Sequence, residues 1–212
     1  MNFEKFKAMT WKQKLDHIWE YYRWQILVTV GLVIFLGGWI GSALRYQEPV
    51  LDLLMINAYE KTPDGEAFRP FLEENGIEYR EDAVVLDKAI RFDAFDSMPD
   101  LSSAQMLMCT IAAGEPDLIF WGSRDMLPPL QNGSLMDLSA LLPPEVLEEQ
   151  KDNLVYCELS DTGERYPCGI FLEKNPWINE KMYYVDCTVC VAATADDKDL
   201  AGKLILWLLE KQ

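Results

Sequence analysis

The chain has 212 residues, with 35 acidic against 19 basic side chains and a formal net charge of −16 at pH 7. Nucleic acids and anionic lipids bind proteins chiefly through basic contacts, so this composition argues against nucleic acid as a partner. The only histidine is His17, which excludes a Ser-His-Asp site, a Cys-His site or a histidine-bound zinc from the rest of the chain.

An uncharged stretch near the start is the strongest signal in the chain. Residues 26–44 read ILVTVGLVIFLGGWIGSAL. A helix needs roughly 20 apolar residues to cross a bilayer, so we predict a transmembrane helix over residues 26–46. The alternative is a cleaved signal peptide, with Gly41 and Ala43 as the small residues before the cut. An uncleaved anchor is favoured because the run exceeds the roughly 7–15 apolar residues of a signal peptide.

The residues around this span predict its orientation. The basic residues before it are Lys5, Lys7, Lys12, Lys14 and Arg23. Basic flanks remain on the cytoplasmic side, so residues 1–25 are predicted inside the cell and residues 47–212 outside it. A capping box at Thr10 and apolar residues at helical spacing predict one helix from about Trp11 to Arg45. Its amphipathic first part is expected near the inner headgroups.

The span also contains a G-x-x-x-G pair, Gly37 and Gly41. Small residues at this spacing let two membrane helices approach closely, so these glycines are candidates for helix pairing and self-association. The alternative is an anchor that tolerates glycine without pairing.

The acidic part, residues 47–212, is long enough for one domain with a full core. In chain order we expect a strand over 50–58, a helix over 63–75, one or two strands within 77–94, a helix over 101–113, a strand over 117–121, a helical turn over 125–131, a helix over 144–150, a hairpin of 154–159 with 165–171, a loop over 175–180, a strand over 183–192 and a helix over 196–210. This alternation predicts an α/β fold, a mostly parallel sheet with flanking helices.

Five cysteines fall in this acidic part, namely Cys109, Cys157, Cys168, Cys187 and Cys190. Cys157 and Cys168 lie on the two strands of the predicted hairpin. A loop of two or four residues places them opposite each other and permits a disulfide, whereas a loop of three or five turns them to opposite faces. Cys187 and Cys190 form a C-x-x-C within a predicted strand, so we expect their side chains on opposite faces, a context that suits neither a zinc site nor a redox motif.

Two segments resemble a known family. Residues 112–122 read AAGEPDLIFWG and residues 133–138 read GSLMDL. They are similar to extracellular solute-binding proteins of ABC importers, in which a small-Gly-acid turn precedes a strand and a G-x-L-x-D-L turn follows. Residues 165–170 and 185–193 resemble the strands that leave and rejoin the first lobe of those proteins. The whole chain also resembles uncharacterised single-pass membrane proteins of Gram-positive bacteria.

The resemblance implies one lobe of a type 2 periplasmic-binding fold, because only residues 172–182 separate the leaving and returning strands. A single lobe lacks the hinged closure that buries a small ligand. We therefore expect a membrane-anchored, extracytoplasmic, non-enzymatic domain that binds a protein partner or an envelope component, without a cofactor. The alternative is the ligand-binding component of an ABC-type uptake or sensing system, its cleft completed by a partner.

Ligands of open α/β sheets bind beyond the carboxyl ends of the strands. The candidate ligand-binding residues are therefore Tyr59, Trp121, Ser123 and Arg124, together with Trp177 in the loop that replaces the second lobe. The alternative assigns Trp121 to the core and Arg124 to the surface.

The many carboxylates do not by themselves indicate catalysis or metal binding. No pair of carboxylates is distinguished for glycoside hydrolysis, and an enzyme is not predicted. Asp93, Asp96 and Asp100 lie close together but lack the glycine and spacing of a calcium loop, so no metal site is predicted.

Overall fold

The computed structural model describes residues 10–45, 48–58, 65–91, 101–125, 127–130, 133–159, 162–182 and 184–212. The chain forms two compact units, Met1–Gln47 and Glu48–Gln212. The second unit is called the sheet domain below. Tyr59 and the Asp93–Asp100 acids of the sequence predictions lie outside the described residues.

Helix α1 (Trp11–Arg45) runs without a break for 35 residues, which confirms the predicted helix. Within it, Tyr22–Gly41 is long and apolar enough to cross a membrane, a criterion that a signal sequence also meets. At 1.5 Å per residue the helix is about 52 Å long, against about 30 Å for the hydrocarbon core. The helix therefore continues beyond the length that a bilayer core would cover.

The sheet domain is built on six strands in the order β2-β1-β3-β6-β5-β4. Their bounds are β1 (Leu51–Ile56), β2 (Val84–Asp87), β3 (Leu118–Trp121), β4 (Leu154–Glu158), β5 (Arg165–Leu172) and β6 (Cys187–Val191). Strand β1 pairs in parallel with β2 and β3, whereas all the pairings of β6, β5 and β4 are antiparallel. The sheet is mixed, so the prediction of a mostly parallel sheet is wrong.

The connections explain part of this outcome. Parallel neighbours need a long crossover, whereas antiparallel neighbours can be joined by a short turn. The link from β4 to β5 is a hairpin of six residues, so these two strands run antiparallel. The link from β5 to β6 contains the short helix Pro176–Met182 and is long enough for either direction, and β6 pairs antiparallel with both β5 and β3.

The helices of the sheet domain are α2 (Arg69–Glu74), α3 (Leu101–Ala113), α4 (Pro144–Glu149), α5 (Pro176–Met182) and α6 (Lys198–Glu210). Short 3-10 turns lie at Gly65–Phe68, Pro128–Leu130, Leu138–Ala140 and Lys151–Asn153. Helix α3 has the predicted bounds and ends at Gly114, whose φ of +74° suits glycine.

Helix α5 replaces the loop predicted over residues 175–180. The side-chain oxygen of Asn175 accepts a hydrogen bond from the Ile178 N–H at 3.0 Å, and Pro176 occupies the first helical position. Both are start signals of a helix, so this prediction was wrong although the signals were in the sequence.

Apolar side chains cover both faces of the sheet. The first face carries Leu51, Leu53 and Met55 of β1 and packs against residues of α2, α5 and α6. The second face carries Leu54 and Ile56 and packs against Leu107 and Ile111 of α3. Alternate residues of β1 therefore enter two different cores, as the pleat of a strand requires.

Candidate functional site

Trp121, predicted to bind a ligand, lies at the carboxyl end of β3. It is only 2% exposed and belongs to the apolar cluster of the second face. Its indole N–H donates to the carbonyl oxygen of Asp125 at 3.1 Å. This position supports the alternative that Trp121 is a core residue, because little of its ring is available for stacking on a ligand.

Ser123 and Arg124 follow the same strand and are exposed. The carbonyl oxygen of Ser123 accepts a hydrogen bond from the Thr188 hydroxyl at 2.5 Å. The Arg124 guanidinium donates to the carbonyl oxygen of Asp152 and lies 5.5 Å from the centre of the Phe171 ring. These contacts anchor Arg124 to its own fold, which supports a structural role for this side chain.

Trp177 lies in helix α5 and packs against the cluster of the first face. Its ring is 5.3 Å from that of Phe68 and 5.0 Å from that of Trp207, both edge to face. Trp121 packs on the second face, so the sheet separates the two tryptophans. Trp121, Ser123 and Arg124 thus share one strand end, and Trp177 lies apart from Trp121.

The observed pairing around the hairpin cysteines, Cys157 and Cys168, matches neither predicted register. Cys157 pairs with Tyr166, and the register shifts by one residue between Val155 and Tyr156. This bulge adds a residue to β5, so Cys157 and Cys168 share the second face without lying directly opposite each other. Both are free thiols in the structure.

The buried thiols are poor nucleophiles. A hydrogen bond with Cys168, followed by burial, raises the pKa of the Cys157 thiol. Burial also raises the pKa values of Cys187 and Cys190. The thiolate is the reactive form of cysteine, so these side chains are unreactive at neutral pH. Cys187 and Cys190 belong to opposite faces, which confirms the expectation for the C-x-x-C.

A groove of about 440 Å³ opens between β2 and α3 on the second face and is called the α3–β2 groove. Asp52 pairs in register with Val85, and Leu54 pairs with Asp87, so these four side chains lie on one face. Five further residues line it, namely Leu53 and Leu86 of the same two strands, Thr110 of α3, and Glu115 and Pro116 of the connection to β3. The second-face side chains are two aliphatic and two acidic ones, of which Val85 is exposed and Leu54 is buried.

The acids around Asp52 lie close enough to affect its ionisation. Burial, and after it the negative charges of Asp117 and Glu115, raises the pKa of Asp52 to about 6. Asp87 contributes in the same direction. Because these negative charges repel the ionised Asp52, a positively charged group bound beside Asp52 would be stabilised.

Asp117 holds this part of the sheet together. Its side chain accepts hydrogen bonds from the backbone N–H groups of Asp52 and Asp196, each at 2.9 Å. Its own backbone N–H donates to the Asp52 carbonyl oxygen at 2.8 Å. Burial raises the pKa of Asp117 despite these two hydrogen bonds. The residue is a structural support for the beginning of β1 and not a free acid.

Helix α3, which contributes Thr110 to the groove, has an unusual composition. None of its 13 residues is charged, although a quarter of the chain is. Met106 and Met108 are each 49% exposed, and Cys109 is exposed beside them. The absence of charge over these 13 residues was visible in the sequence and would have directed attention to this region.

The described residues contain no group of three or more His, Cys, Asp or Glu arranged to hold a metal ion. Comparison with protein-family models, curated proteins and solved structures finds no match to this chain.

Proposed function

We propose that the protein is a membrane-anchored, extracytoplasmic domain that acts by binding a partner and not by catalysis. The observation that supports this proposal is the pairing of one long apolar helix, preceded by basic residues, with a separate acidic α/β domain. The basic side of such a helix remains in the cytoplasm, which would put the sheet domain outside.

Two features favour binding over chemistry. The only histidine lies in helix α1, so the sheet domain has no imidazole base. The pKa values of the thiols Cys157, Cys187 and Cys190 are raised, which removes them as nucleophiles. The α3–β2 groove, in contrast, combines apolar and charged side chains on an open surface, as recognition sites do.

The location can be tested with the exposed Cys109. Intact cells that express the chain with an N-terminal epitope tag are treated with a membrane-impermeant maleimide. Cys109 should be labelled, and the Cys109→Ser variant should not. The labelled band should keep its tag, because an anchor is not cleaved. Labelling that requires permeabilised cells would refute the extracytoplasmic location, and loss of the tag would refute the anchor.

The second candidate function is the ligand-binding component of an ABC-type uptake or sensing system, with the cleft completed by a partner. The groove volume of about 440 Å³ favours it, because small-molecule sites usually measure roughly 300–1,000 Å³. A thermal-shift screen of the full chain with sugars, amino acids and short peptides tests it. A saturable shift that is lost in Val85→Lys would support ligand capture, and no shift with any compound would refute it.

A further inference from the structure

We propose that the α3–β2 groove binds a segment of a partner protein that carries lysine or arginine beside aliphatic side chains. This inference rests on the proposed interaction function and names the chemistry of the partner. Its first basis is the apolar part of the groove. Val85 is 41% exposed although it lies in a strand, whereas Leu54, on the same face, is buried, so Val85 supplies the accessible apolar surface.

Helix α3 packs in the cluster that contains Leu54 but leaves Val85 open, because the helix is centred elsewhere on the sheet. Its buried residues Leu107 and Ile111 pack in the cluster that contains Leu54, Ile119 and Trp121. Those residues belong to β1 and β3, so the helix covers these two strands. The face of β2, the strand at the edge of the sheet, keeps its exposed valine. An aliphatic side chain seated on Val85 would remove this apolar surface from water.

The second basis is charge. Asp52, Asp87 and Glu115 line the groove with Val85, and the negative charges of Asp87, Glu115 and the nearby Asp117 all repel the ionised Asp52. A lysine or arginine among them would relieve this repulsion and pair with a partly desolvated carboxylate, which stabilises a complex more than an exposed ion pair does. A segment with both chemistries therefore matches the groove better than a purely apolar or purely basic one.

The charge also argues against a second copy of this chain as the occupant. Residues 47–212 contain 13 basic and 32 acidic side chains, a net charge of −19. In a symmetric pair the groove meets the same groove of the other copy, so the two sets of Asp52, Asp87 and Glu115 carboxylates would be brought together. Like charges placed together across an interface are unfavourable.

The test uses the purified full chain in uncharged detergent micelles. The probe is a fluorescein-labelled nine-residue peptide of alternating lysine and valine, titrated by fluorescence anisotropy with empty micelles as the blank. We expect saturable binding that weakens about tenfold in the double variant Asp87→Asn/Glu115→Gln, since each removed carboxylate loses a charge contact. Val85→Lys should weaken binding at least as much.

Two controls separate the groove from general charge attraction. The double variant Glu145→Gln/Glu149→Gln removes the same charge from exposed positions of α4, beside the first-face cluster that Leu147 contacts. It should change affinity less than about twofold, as additive surface changes do. A lysine–serine peptide should bind about tenfold more weakly than the lysine–valine peptide, because it lacks the apolar contact. Circular dichroism confirms that each variant is folded.

Several results would overturn the inference. One is the absence of saturable binding, and another is an equal loss in the groove and control variants, which would show bulk charge attraction. A protein that is dimeric in light scattering and becomes monomeric in Val85→Lys would assign the groove to a second copy. The binding measurements use purified protein and do not depend on where the protein lies in the cell. A negative binding result would therefore not refute the extracytoplasmic location, and a negative labelling result would not refute the groove.

Discussion

Replacement of Asp52 by asparagine should make the protein more stable at neutral pH and leave its stability unchanged in acid. The pKa of Asp52 rises from 3.8 to about 6 in the folded chain, chiefly through burial and then through the charge of Asp117. The folded state therefore binds this proton more tightly than the unfolded chain does. The ionised carboxylate costs stability above about pH 6, and this cost disappears as the pH falls towards 3.8.

The difference between the two pKa values is about two units, and one unit corresponds to about 1.36 kcal/mol. The upper limit of the penalty is thus about 3 kcal/mol. Because Asp52 is only partly buried, solvent screening reduces the expected gain in Asp52→Asn to about 1 kcal/mol. The asparagine keeps the backbone N–H that donates to Asp117, so the local hydrogen bonds are retained.

Urea denaturation of the full chain in uncharged micelles, followed by tryptophan fluorescence, measures this effect at pH 7.5 and pH 4. The matched control is Glu164→Gln, which removes one exposed carboxylate from the turn between β4 and β5. It should leave the free energy of unfolding within about 0.5 kcal/mol of the wild type, as most surface changes do. The same gain in Asp52→Asn at both pH values, or a loss at pH 7.5, would refute the electrostatic reasoning.

Three further predictions concern the interior of the sheet domain. Asp117→Asn should lower the free energy of unfolding by about 1–3 kcal/mol in the same assay. The carboxylate accepts hydrogen bonds from two N–H groups, one on each oxygen, whereas an amide has only one oxygen. An unchanged free energy of unfolding would contradict the structural role of Asp117. Gly169→Ala should destabilise the domain by about 1–3 kcal/mol, since a Cβ there would overlap the sulfur of Cys190. Adding Cys190→Ala to this variant should recover part of the loss. If Gly169→Ala were as stable as the wild type, the close approach of β5 and β6 at this position would be wrong. A thiol reagent should react rapidly with Cys109 alone in the native protein and with all five cysteines in denaturant; rapid reaction of a second native thiol would show that the burial of the other four is wrong.

Elements with strong local signals could be predicted from the sequence. Helix α1 follows from an uncharged run with a capping residue before it, and its observed bounds are the predicted ones. Helix α3 follows in the same way from apolar spacing and the glycine at position 114. The split of the C-x-x-C between two faces required only the alternation of a strand. Each of these features depends on residues within a few turns of one another.

Features that depend on distant residues could not be predicted. The parallel or antiparallel direction of each strand depends on which strands become neighbours, and the bulge that places Cys157 and Cys168 on one face exists only when β4 pairs with β5. Local spacing contains neither piece of information, because a strand has the same alternation in either direction.

The apolar helix, the acidic balance and the absence of histidine beyond α1 are properties of the sequence alone, because they require no pairing of distant segments. The α3–β2 groove, in contrast, exists only in the tertiary structure. Asp52 and Val85 are 33 positions apart, and they meet on one face only because β1 and β2 pair in that register. Burial there, followed by the charges of Asp117 and Glu115, raises the pKa of Asp52, and this grouping of residues is not visible in the sequence.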